Sequence, residues 1–320
     1  MIKGNTLFLG NGFTISTFKK SVSWKDLLEA EDDKYPYTLL YEMMYLMSPL
    51  LLQKGSNTEY IKKCVIAEKL CLSVNDIKST VKKDIKKLGH WLRNQNIRNI
   101  ITTNYDKGIE LILTCKCGYK IRRTNKENTC REDIYSIRTY KILRNDDLGH
   151  EVRIWEIHGS IDRIKSILLG YDQYCGALAK MKSYFNGEYT SKKGVSCNIS
   201  MKRKCEVNKY RYIFNTKKVS SDYSWIDLFF STNLYIAGFG LSYDEIDIWW
   251  LLNKRARIYK TNKELIRNEI YYLYSERDNE RISKISKTLT LFQVKMKKIR
   301  DDNFLYNVFN TIRKTTRKEN

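Results

Sequence analysis

Short apolar runs alternate with helix-like segments along most of this sequence, and that alternation constrains the fold more than any other feature. Strands separated by helices form mostly parallel sheets that helices cover on both faces. The sequence therefore predicts an α/β, Rossmann-like, doubly wound domain. The predicted strands are Thr6–Leu9, Arg98–Thr102, Arg153–Ile157, Asn233–Ala237, Glu269–Tyr274 and Leu289–Val294.

Helical periodicity fills the intervals, with apolar residues at three- and four-residue spacing. The predicted helices cover residues 37–53, 57–72, 75–94, 106–113, 171–185, 244–254 and 303–313.

Three stretches depart from the alternation and define the predicted domain organisation. Residues about 30–95 are nearly all helical and predict a helical insertion. Residues about 114–150 contain runs of alternating polarity, "YKIRRT" and "SIRTYKIL", which predict an antiparallel hairpin. Residues about 186–220 are basic and poor in apolar side chains, which is typical of a loop-like inserted segment. We predict a single domain over residues 1–320 that carries these insertions.

The composition predicts a globular cytoplasmic protein with reduced thiols. Apolar residues make up 42% of the 320 positions, no run is long and apolar enough to cross a bilayer, and no signal-peptide pattern is present. Eight cysteines are scattered through the chain. Cys115 and Cys117 with Cys130 come nearest to a metal pattern, but paired Cys-x-x-Cys knuckles are absent from the sequence, so no metal is predicted.

The formal net charge of +22 has two interpretations. It can attract nucleic acid or another polyanion. It can equally reflect the Lys-, Asn- and Ile-rich composition of an AT-rich genome, with the charges spread over solvated faces. The basic clusters are short and dispersed, so binding to a polyanion is a prediction and sequence-specific readout is not.

Polar and glycine-rich motifs follow four of the predicted strands. They are "GNGF" at residues 10–13, "TTNYD" at 102–106, "HGS" at 158–160 and "GFGLSYDE" at 238–245. In doubly wound sheets, ligands bind at the carboxyl ends of the strands. The four motifs therefore predict one ligand site.

Each motif by itself has an ordinary structural interpretation. The Gly-Asn-Gly sequence is as typical of a tight turn as of phosphate binding, and "TTNYD" suits a helix cap. A lone histidine such as His158 is more often structural, and "GFG" can let a strand pass close to a helix. The order of the four motifs is what favours a shared site.

In that order the motifs resemble those of the SIR2-like (sirtuin-related) NAD-binding family. They stand where sirtuins carry Gly-Ala-Gly, Thr-Gln-Asn-Ile-Asp, His-Gly and Gly-Thr-Ser, and "SWKDLL" at residues 23–28 is more similar to bacterial SIR2-like NADases of antiphage systems. Thr103 and Tyr105 replace the sirtuin Gln and Ile. The Gly-Ile-Pro-Asp-Phe-Arg segment and the zinc knuckles of the deacetylases are absent from the sequence, which weakens a deacylase interpretation.

The resemblance implies NAD+ as substrate and a role for several residues. Asn104 would position water or the ribose hydroxyls, Asp106 would contact the nicotinamide pocket, and His158 would accept a proton through a ribose hydroxyl or from water. Backbone N–H groups of residues 10–13 would receive the pyrophosphate. The predicted cofactor-binding residues are Gly10, Asn11, Gly12, Phe13, Thr103, Gly238, Gly240 and Ser242.

Three other polar features receive no catalytic role. His90 is assigned to packing or capping at a helix end, and His150 to a polar loop. The run "DEIDIWWLL" at residues 244–252 is interpreted as an acidic first helical turn followed by a buried aromatic stripe.

The leading functional prediction is an NAD+ glycohydrolase that depletes NAD in antiphage defence. Such an enzyme needs restraint, so we expect control by homo-oligomerisation or by a regulatory partner, for which the resemblance suggests a HerA-type ATPase or an Argonaute-like protein. Three alternatives stay open: an NAD-dependent deacylase or ADP-ribosyltransferase, a nucleic-acid-binding or nuclease component of a defence complex, and a dinucleotide sensor that leaves NAD intact. The sequence does not distinguish NAD from NADP.

Overall fold

A computed structural model describes residues 4–22, 24–28, 35–48, 58–124, 137–186, 223–300 and 302–319. The predicted basic segment at residues 186–220 lies outside these ranges, apart from Asn186. Residues 49–53 of the predicted helix 37–53 and residues 125–136 of the predicted hairpin also lie outside them.

Eight strands in the described ranges form one sheet, ordered β3-β4-β5-β2-β1-β6-β7-β8. All neighbours from β5 across to β8 are parallel, whereas β3 and β4 are antiparallel to each other and β4 is antiparallel to β5. The strands are β1 (Asn5–Leu9), β2 (Ile97–Thr102), β3 (Lys120–Thr124), β4 (Lys141–Asn145), β5 (His150–Glu156), β6 (Asn233–Ala237), β7 (Ile270–Ser275) and β8 (Val294–Ile299).

The parallel strands have the strand order of a Rossmann fold. Numbered by their succession in the chain, they lie in the spatial order 3-2-1-4-5-6. The order reverses between β1 and β6, and this switch point is where such sheets bind ligands. The predicted α/β, doubly wound, mostly parallel architecture is confirmed, and the antiparallel pairing of β3 with β4 agrees with the predicted hairpin.

The helices in the described ranges cover both faces of this sheet. None of them is long and apolar enough to span a lipid bilayer. They are α1 (Asn11–Thr17), α2 (Trp24–Leu27), α3 (Tyr37–Leu46), α4 (Thr58–Lys69), α5 (Lys82–Asn94), α6 (Gly108–Lys116), α7 (Tyr171–Phe185), α8 (Trp225–Ser231), α9 (Ile246–Thr261), α10 (Asn279–Leu291) and α11 (Phe304–Glu319).

The central strands are buried on both faces, as the continuous apolar runs predict. In β1, Leu7 and Leu9 belong to one hydrophobic core and Phe8 to another. In β6, Tyr235 joins the first core and Ile236 the second. Alternate side chains of each strand therefore enter opposite layers, and the polar groups that follow the strands emerge at the sheet edge.

The predicted strand Leu289–Val294 is wrong. Residues 279–291 form α10, whose buried face carries Ile282, Ile285 and Leu289 at helical spacing. Gln293 has a φ of 59°, and the strand begins only at Val294. Three lysines interrupt the apolar residues of β8, which among the described strands is an edge strand paired with β7, and these charges concealed it.

The predicted helix 75–94 begins later than its periodicity indicates. Helix α5 starts at Lys82, and two short 3₁₀ turns, Val74–Asp76 and Ser79–Val81, precede it. Between the turns, Ile77 forms an isolated antiparallel bridge with Phe18. A tertiary backbone contact therefore overrides the local helical pattern.

Candidate active site

Gly10 and Gly12 let the loop after β1 pass against the loop after β6. A Cβ atom on Gly10 would lie 2.5 Å from the Cα atom of Phe239, and one on Gly12 would lie 2.7 Å from that of Gly238. The Gly12 N–H donates to the Gly238 carbonyl oxygen at 2.7 Å. The glycine pair thus joins the two halves of the sheet at the switch point, and a larger side chain would force the loops apart.

This contact changes what the first loop offers to a phosphate. The Gly10 N–H donates to the Ala237 carbonyl at 3.1 Å, and the Phe13 N–H donates to the Gly10 carbonyl at 3.0 Å. The Gly12 N–H donates to the Gly238 carbonyl oxygen. Of the amides that were expected to receive a pyrophosphate, the three of Gly10, Gly12 and Phe13 therefore already have protein acceptors in this structure.

A cavity of about 830 Å³ lies at the switch point. This volume is in the range of pockets that bury most of a small-molecule ligand. Gly10 and Phe13 do not line the cavity and are buried behind it. The structure brings the other predicted residues together in its wall: Asn11, Gly12, Thr103, Asn104, Asp106, His158, Gly238, Gly240 and Ser242.

Asn104 has an orientation fixed by the loop after β1. Its Nδ2 donates to the Gly10 carbonyl at 3.3 Å and to Thr14 Oγ1 at 3.0 Å. The backbone N–H of Asn104 donates to Thr102 Oγ1 at 3.1 Å. Since Nδ2 is engaged, the amide oxygen is the side-chain atom that Asn104 presents to a ligand.

Asp106 both borders the cavity and shapes the backbone. Its Oδ1 accepts a hydrogen bond from the Gly108 N–H at 2.7 Å, and its Oδ2 accepts one from Thr14 Oγ1 at 2.9 Å. The helix-start interpretation of "TTNYD" therefore applies to Asp106, because Gly108 is the first residue of α6. Burial raises the pKa of Asp106 above its ordinary value.

Thr14 links these two residues and was missed by the sequence analysis. Its hydroxyl accepts from the Asn104 amide and donates to the Asp106 carboxylate. This polarity fixes the direction of the Asn104 side chain, since only the NH₂ end of the amide can donate. Nothing in the local pattern distinguishes Thr14 from an ordinary helix residue, because its partners lie about ninety residues away.

His158 is 2% exposed and lies between two carboxylates. Its Nε2 is 2.9 Å from Asp247 Oδ2. Its Nδ1 is 3.6 Å from Glu245 Oε2 and 3.4 Å from the hydroxyl of Tyr174. Burial by itself would lower the pKa of His158, but the charges of Asp247 and Glu245 outweigh burial and raise that pKa above its ordinary value.

The interpretation of residues 244–252 is confirmed for the acidic first turn and wrong for the buried aromatic stripe. Asp247 lies in the first turn of α9, but it and Glu245 are buried and face His158, whereas Trp249 and Trp250 are only half-buried. The signal was available in the spacing, because Asp247 precedes the buried Leu251 by four residues and so shares its helix face.

Glu245 is the carboxylate of this group with an unsatisfied oxygen. Within the described part of the chain, its Oε2 is buried and has no hydrogen-bond partner. Burial is the largest influence on this carboxyl group and raises the pKa of Glu245 to about 7; the charge of His158 opposes that rise and the charge of Asp247 adds to it.

His158, Glu245 and Asp247 are also residue types that bind metals, and their ligand atoms lie within 4.8 Å of one another. The two carboxylates, however, face different ring nitrogens of His158. A metal ion would take one ring nitrogen, whereas a protonated imidazole donates from both. The arrangement favours an imidazolium, and the absence of a metal stays a prediction.

At another part of the cavity wall, hydrogen bonds to Asp244 connect α3 to the loop after β6. Asp244 accepts hydrogen bonds from the Tyr37 N–H at 3.1 Å, from Thr38 Oγ1 at 2.5 Å and from Ser242 Oγ at 3.1 Å. The hydroxyl of Ser242, one of the predicted cofactor-binding residues, therefore already donates to Asp244. Beyond it, Arg281 donates to the Gly240 carbonyl.

His150 lies apart from the cavity. Its Nδ1 is 2.7 Å from the hydroxyl of Tyr119, and burial lowers the pKa of His150 to about 4. His150 is therefore uncharged at neutral pH, and it is buried at the first position of β5.

Comparison with known proteins identifies the family. No curated protein matches the chain. The family model described as "SIR2-like domain" matches residues 98–290, which is more than half of the 320 residues. The matched segment runs from β2 into α10 and contains the motifs that supply Asn104, His158 and Gly238. The chain belongs to the SIR2-like family.

Proposed function

We propose that this protein is an NAD+ glycohydrolase, which cleaves the nicotinamide–ribose bond to give nicotinamide and ADP-ribose. SIR2-like domains use NAD+ as substrate. The single observation that supports the proposal best is the cavity at the switch point, whose wall contains Asn104, Asp106 and His158 together with the glycine loops after β1 and β6.

The charges around the cavity suit this reaction. Breaking the bond releases neutral nicotinamide and leaves positive charge on the ribose ring. Asp106, Glu245 and Asp247 place carboxyl groups at or beside the cavity, and His158 is the imidazole among them. Negative groups held in a buried site stabilise a developing cation more strongly than they would in water. Asn104, held by Thr14, has a fixed direction in which to orient a water molecule or a ribose hydroxyl.

Deacylation and ADP-ribosyl transfer begin with the same bond cleavage and differ in the acceptor. Hydrolysis needs only water, and the sequence lacks the paired cysteine knuckles that support peptide binding in deacetylases. These considerations favour hydrolysis. If product analysis finds acylated ADP-ribose or an ADP-ribosylated acceptor, deacylation or ADP-ribosyl transfer would replace hydrolysis as the proposed reaction.

The cellular role that we propose is depletion of NAD in antiphage defence, in the cytoplasm. The support is the similarity of the sequence to bacterial SIR2-like NADases. Control by homo-oligomerisation or by a HerA-type or Argonaute-like partner belongs to the same proposal, as does attraction of nucleic acid by the net charge of +22. Binding to DNA that weakens steeply with salt would support that last part.

The test is release of nicotinamide and ADP-ribose from NAD+ by the purified protein. We expect Asn104→Ala to lower kcat at least ~100-fold, as removal of a positioned polar group does in other enzymes. Asn262→Ala, outside the cavity, is the matched control and should keep the parent rate. Asn104→Ala with the parent rate would remove Asn104 from the mechanism. Binding of NAD+ without cleavage would instead favour the sensor alternative.

A further inference from the structure

The imidazole of His158 has a partner at each nitrogen, which conflicts with a role as proton acceptor. Nε2 is 2.9 Å from Asp247 Oδ2, and Nδ1 faces the Tyr174 hydroxyl at 3.4 Å and Glu245 Oε2 at 3.6 Å. A general base needs an unprotonated atom within hydrogen-bond reach of the proton that it takes. An imidazole placed between two carboxylates is instead stabilised as a cation.

Glu245 lines the cavity as His158 does, but it differs in its hydrogen bonding. It is 7% exposed, and its Oε2, 3.6 Å from His158 Nδ1, has no hydrogen bond to any described residue. An unsatisfied buried oxygen costs stability, so its presence at a cavity wall calls for a functional reason. Asp247 differs, because its Oδ2 faces His158 and its Oδ1 accepts from the Ile248 N–H at 2.9 Å.

The groups that surround this pair are acidic or phenolic. Burial, the largest influence, raises the pKa of Tyr37, Tyr105 and Tyr174, so these three side chains remain neutral. Burial raises the pKa of Glu245 most; His158 and a hydrogen bond from Tyr37 lower that pKa, and the charges of Asp247 and Asp244 raise it. The groups that face His158 and Glu245 are Asp244 from the loop after β6, Asp247 from α9, Tyr37 from α3, Tyr174 from α7 and Tyr105 from the segment after β2.

We propose that Glu245, and not His158, accepts the proton of the attacking water, and that His158 is a positioning residue that stays protonated between Asp247 and Glu245. This inference rests on the proposed hydrolysis. The water oxygen forms a bond to the ribose C1′ while the bond from C1′ to the nicotinamide nitrogen breaks. That electron pair leaves with neutral nicotinamide, and the water proton moves to Glu245, which later releases it to solvent.

The first experiment reads the charge of His158 without any substrate. Nitrogen-15 NMR of the histidine side chains should show both ring nitrogens of His158 protonated at neutral pH, with the signal assigned by its loss in His158→Gln. Glu245→Gln should lower the midpoint of that titration, because one flanking carboxylate is gone. A singly protonated His158 ring at neutral pH would overturn its assignment as a cation.

The second experiment follows NAD+ cleavage against pH. Glu245→Gln should lose at least ~100-fold in kcat and also lose the acidic limb of the pH–rate profile. Added formate should restore activity to Glu245→Ala and not to His158→Ala. Glu110→Gln is the matched control, since Glu110 is a buried glutamate that does not line the cavity, and it should keep both kcat and the limb.

The outcomes separate the two proposals. A wild-type protein that cleaves no NAD+ overturns the hydrolase proposal and the proton transfer with it, while the NMR result still decides the charge of His158. Cleavage that survives in Glu245→Gln with an unchanged pH profile overturns the Glu245 assignment alone. Rescue of His158→Ala by imidazole would return the proton-accepting role to His158.

Discussion

Two charge clusters lie near the end of β5, one partly exposed and one buried, and they differ in the kind of cation that faces their carboxylates. The Lys141 cluster consists of Lys107, Glu110, Lys141, Glu156 and Asp162. Lys141 Nζ is 2.7 Å from Glu110, 2.9 Å from Glu156 and 2.8 Å from Asp162. Lys107 adds contacts to Glu110 at 3.2 Å and to Asp162 at 3.1 Å.

The His158 cluster consists of His158, Glu245 and Asp247. One imidazole faces two carboxylates, and one carboxylate oxygen has no hydrogen bond within the described residues. No residue of the Lys141 cluster lines the cavity, whereas His158 and Glu245 do.

The difference distinguishes a structural cluster from a reactive one. Ammonium groups that contact every carboxylate of a cluster hold it in one charge state. The His158 cluster has the same formal excess of one carboxylate, but its cation is an imidazole, which can itself lose a proton, and one of its carboxylate oxygens has no hydrogen bond within the described residues. Such a cluster can change its protonation near neutral pH, which is what proton transfer requires. Buried charge alone therefore does not identify a reactive site; the kind of cation and a carboxylate oxygen without a hydrogen bond do.

The largest expected effect comes from breaking the Lys141 cluster. Lys141→Met leaves Glu110 and Glu156 buried without their central cation, and this should lower the free energy of unfolding by about 3 kcal/mol. The measurement is urea unfolding at pH 7. The rate of NAD+ cleavage per folded molecule should not change. Wild-type stability in Lys141→Met would mean that the cluster contributes nothing net to the fold.

The second-largest expected effect is a difference between the two clusters in how the free energy of unfolding depends on pH. The pKa values of Glu245 and His158 are raised in the folded state. Their contribution to the free energy of unfolding is therefore complete below their ordinary pKa values of 4.5 and 6.5 and is lost as pH rises, for Glu245 through about 7. Burial would raise the pKa of Asp162, but Lys141 and Lys107 outweigh burial and lower that pKa. The contribution of Asp162 to the free energy of unfolding is therefore lost only in acid.

The free energy of unfolding should therefore decline from pH 5 to pH 8, and Glu245→Gln should remove about 2 kcal/mol of that decline. Urea unfolding at several pH values gives this number, with Glu110→Gln as the control that keeps the wild-type slope. A slope that Glu245→Gln leaves unchanged would contradict the shifted titration of Glu245.

A smaller loss of stability is expected when the Tyr174 hydroxyl, the neutral partner of His158, is removed. The Tyr174 hydroxyl is 2.6 Å from the Tyr37 hydroxyl and 3.4 Å from His158 Nδ1. Tyr174→Phe removes a buried hydrogen bond and should lower the free energy of unfolding by about 1 kcal/mol. The charge of His158 depends on the carboxylates, so its NMR titration midpoint should shift less than in Glu245→Gln. A larger shift would assign the main control of His158 to Tyr174.

The smallest effect is expected at the solvent-facing edge of the Lys141 cluster. The side chain of Lys107 is 36% exposed, and Lys141 remains in contact with the same carboxylates without it. Lys107→Met should lower the free energy of unfolding by about 0.5 kcal/mol, as exposed ion pairs do. A loss close to that of Lys141→Met would show that the two lysines act as one unit.

The site was predictable where it depends on strand ends. Asn104, His158 and Gly238 follow the parallel strands β2, β5 and β6, which with β1 form one contiguous part of the sheet, and the carboxyl ends of such strands meet at one edge. Glu245 and Asp247 were misassigned, because residues near a helix start are acidic in many proteins without facing a site. The strand β8 was misplaced, because three lysines interrupt its apolar residues and the more apolar run Leu289–Val294 begins on helix α10.

The sequence by itself determined the alternation of strands and helices, the doubly wound sheet and the membership of four motifs in one site, because these depend on periodicity and chain order. Only the tertiary structure decided which polar groups are already satisfied. Asp247 meets His158 across 89 residues, and Gly12 meets Gly238 across the switch point. Such pairings depend on the packing of distant elements, which no local pattern records, and they decide which atoms remain available for chemistry.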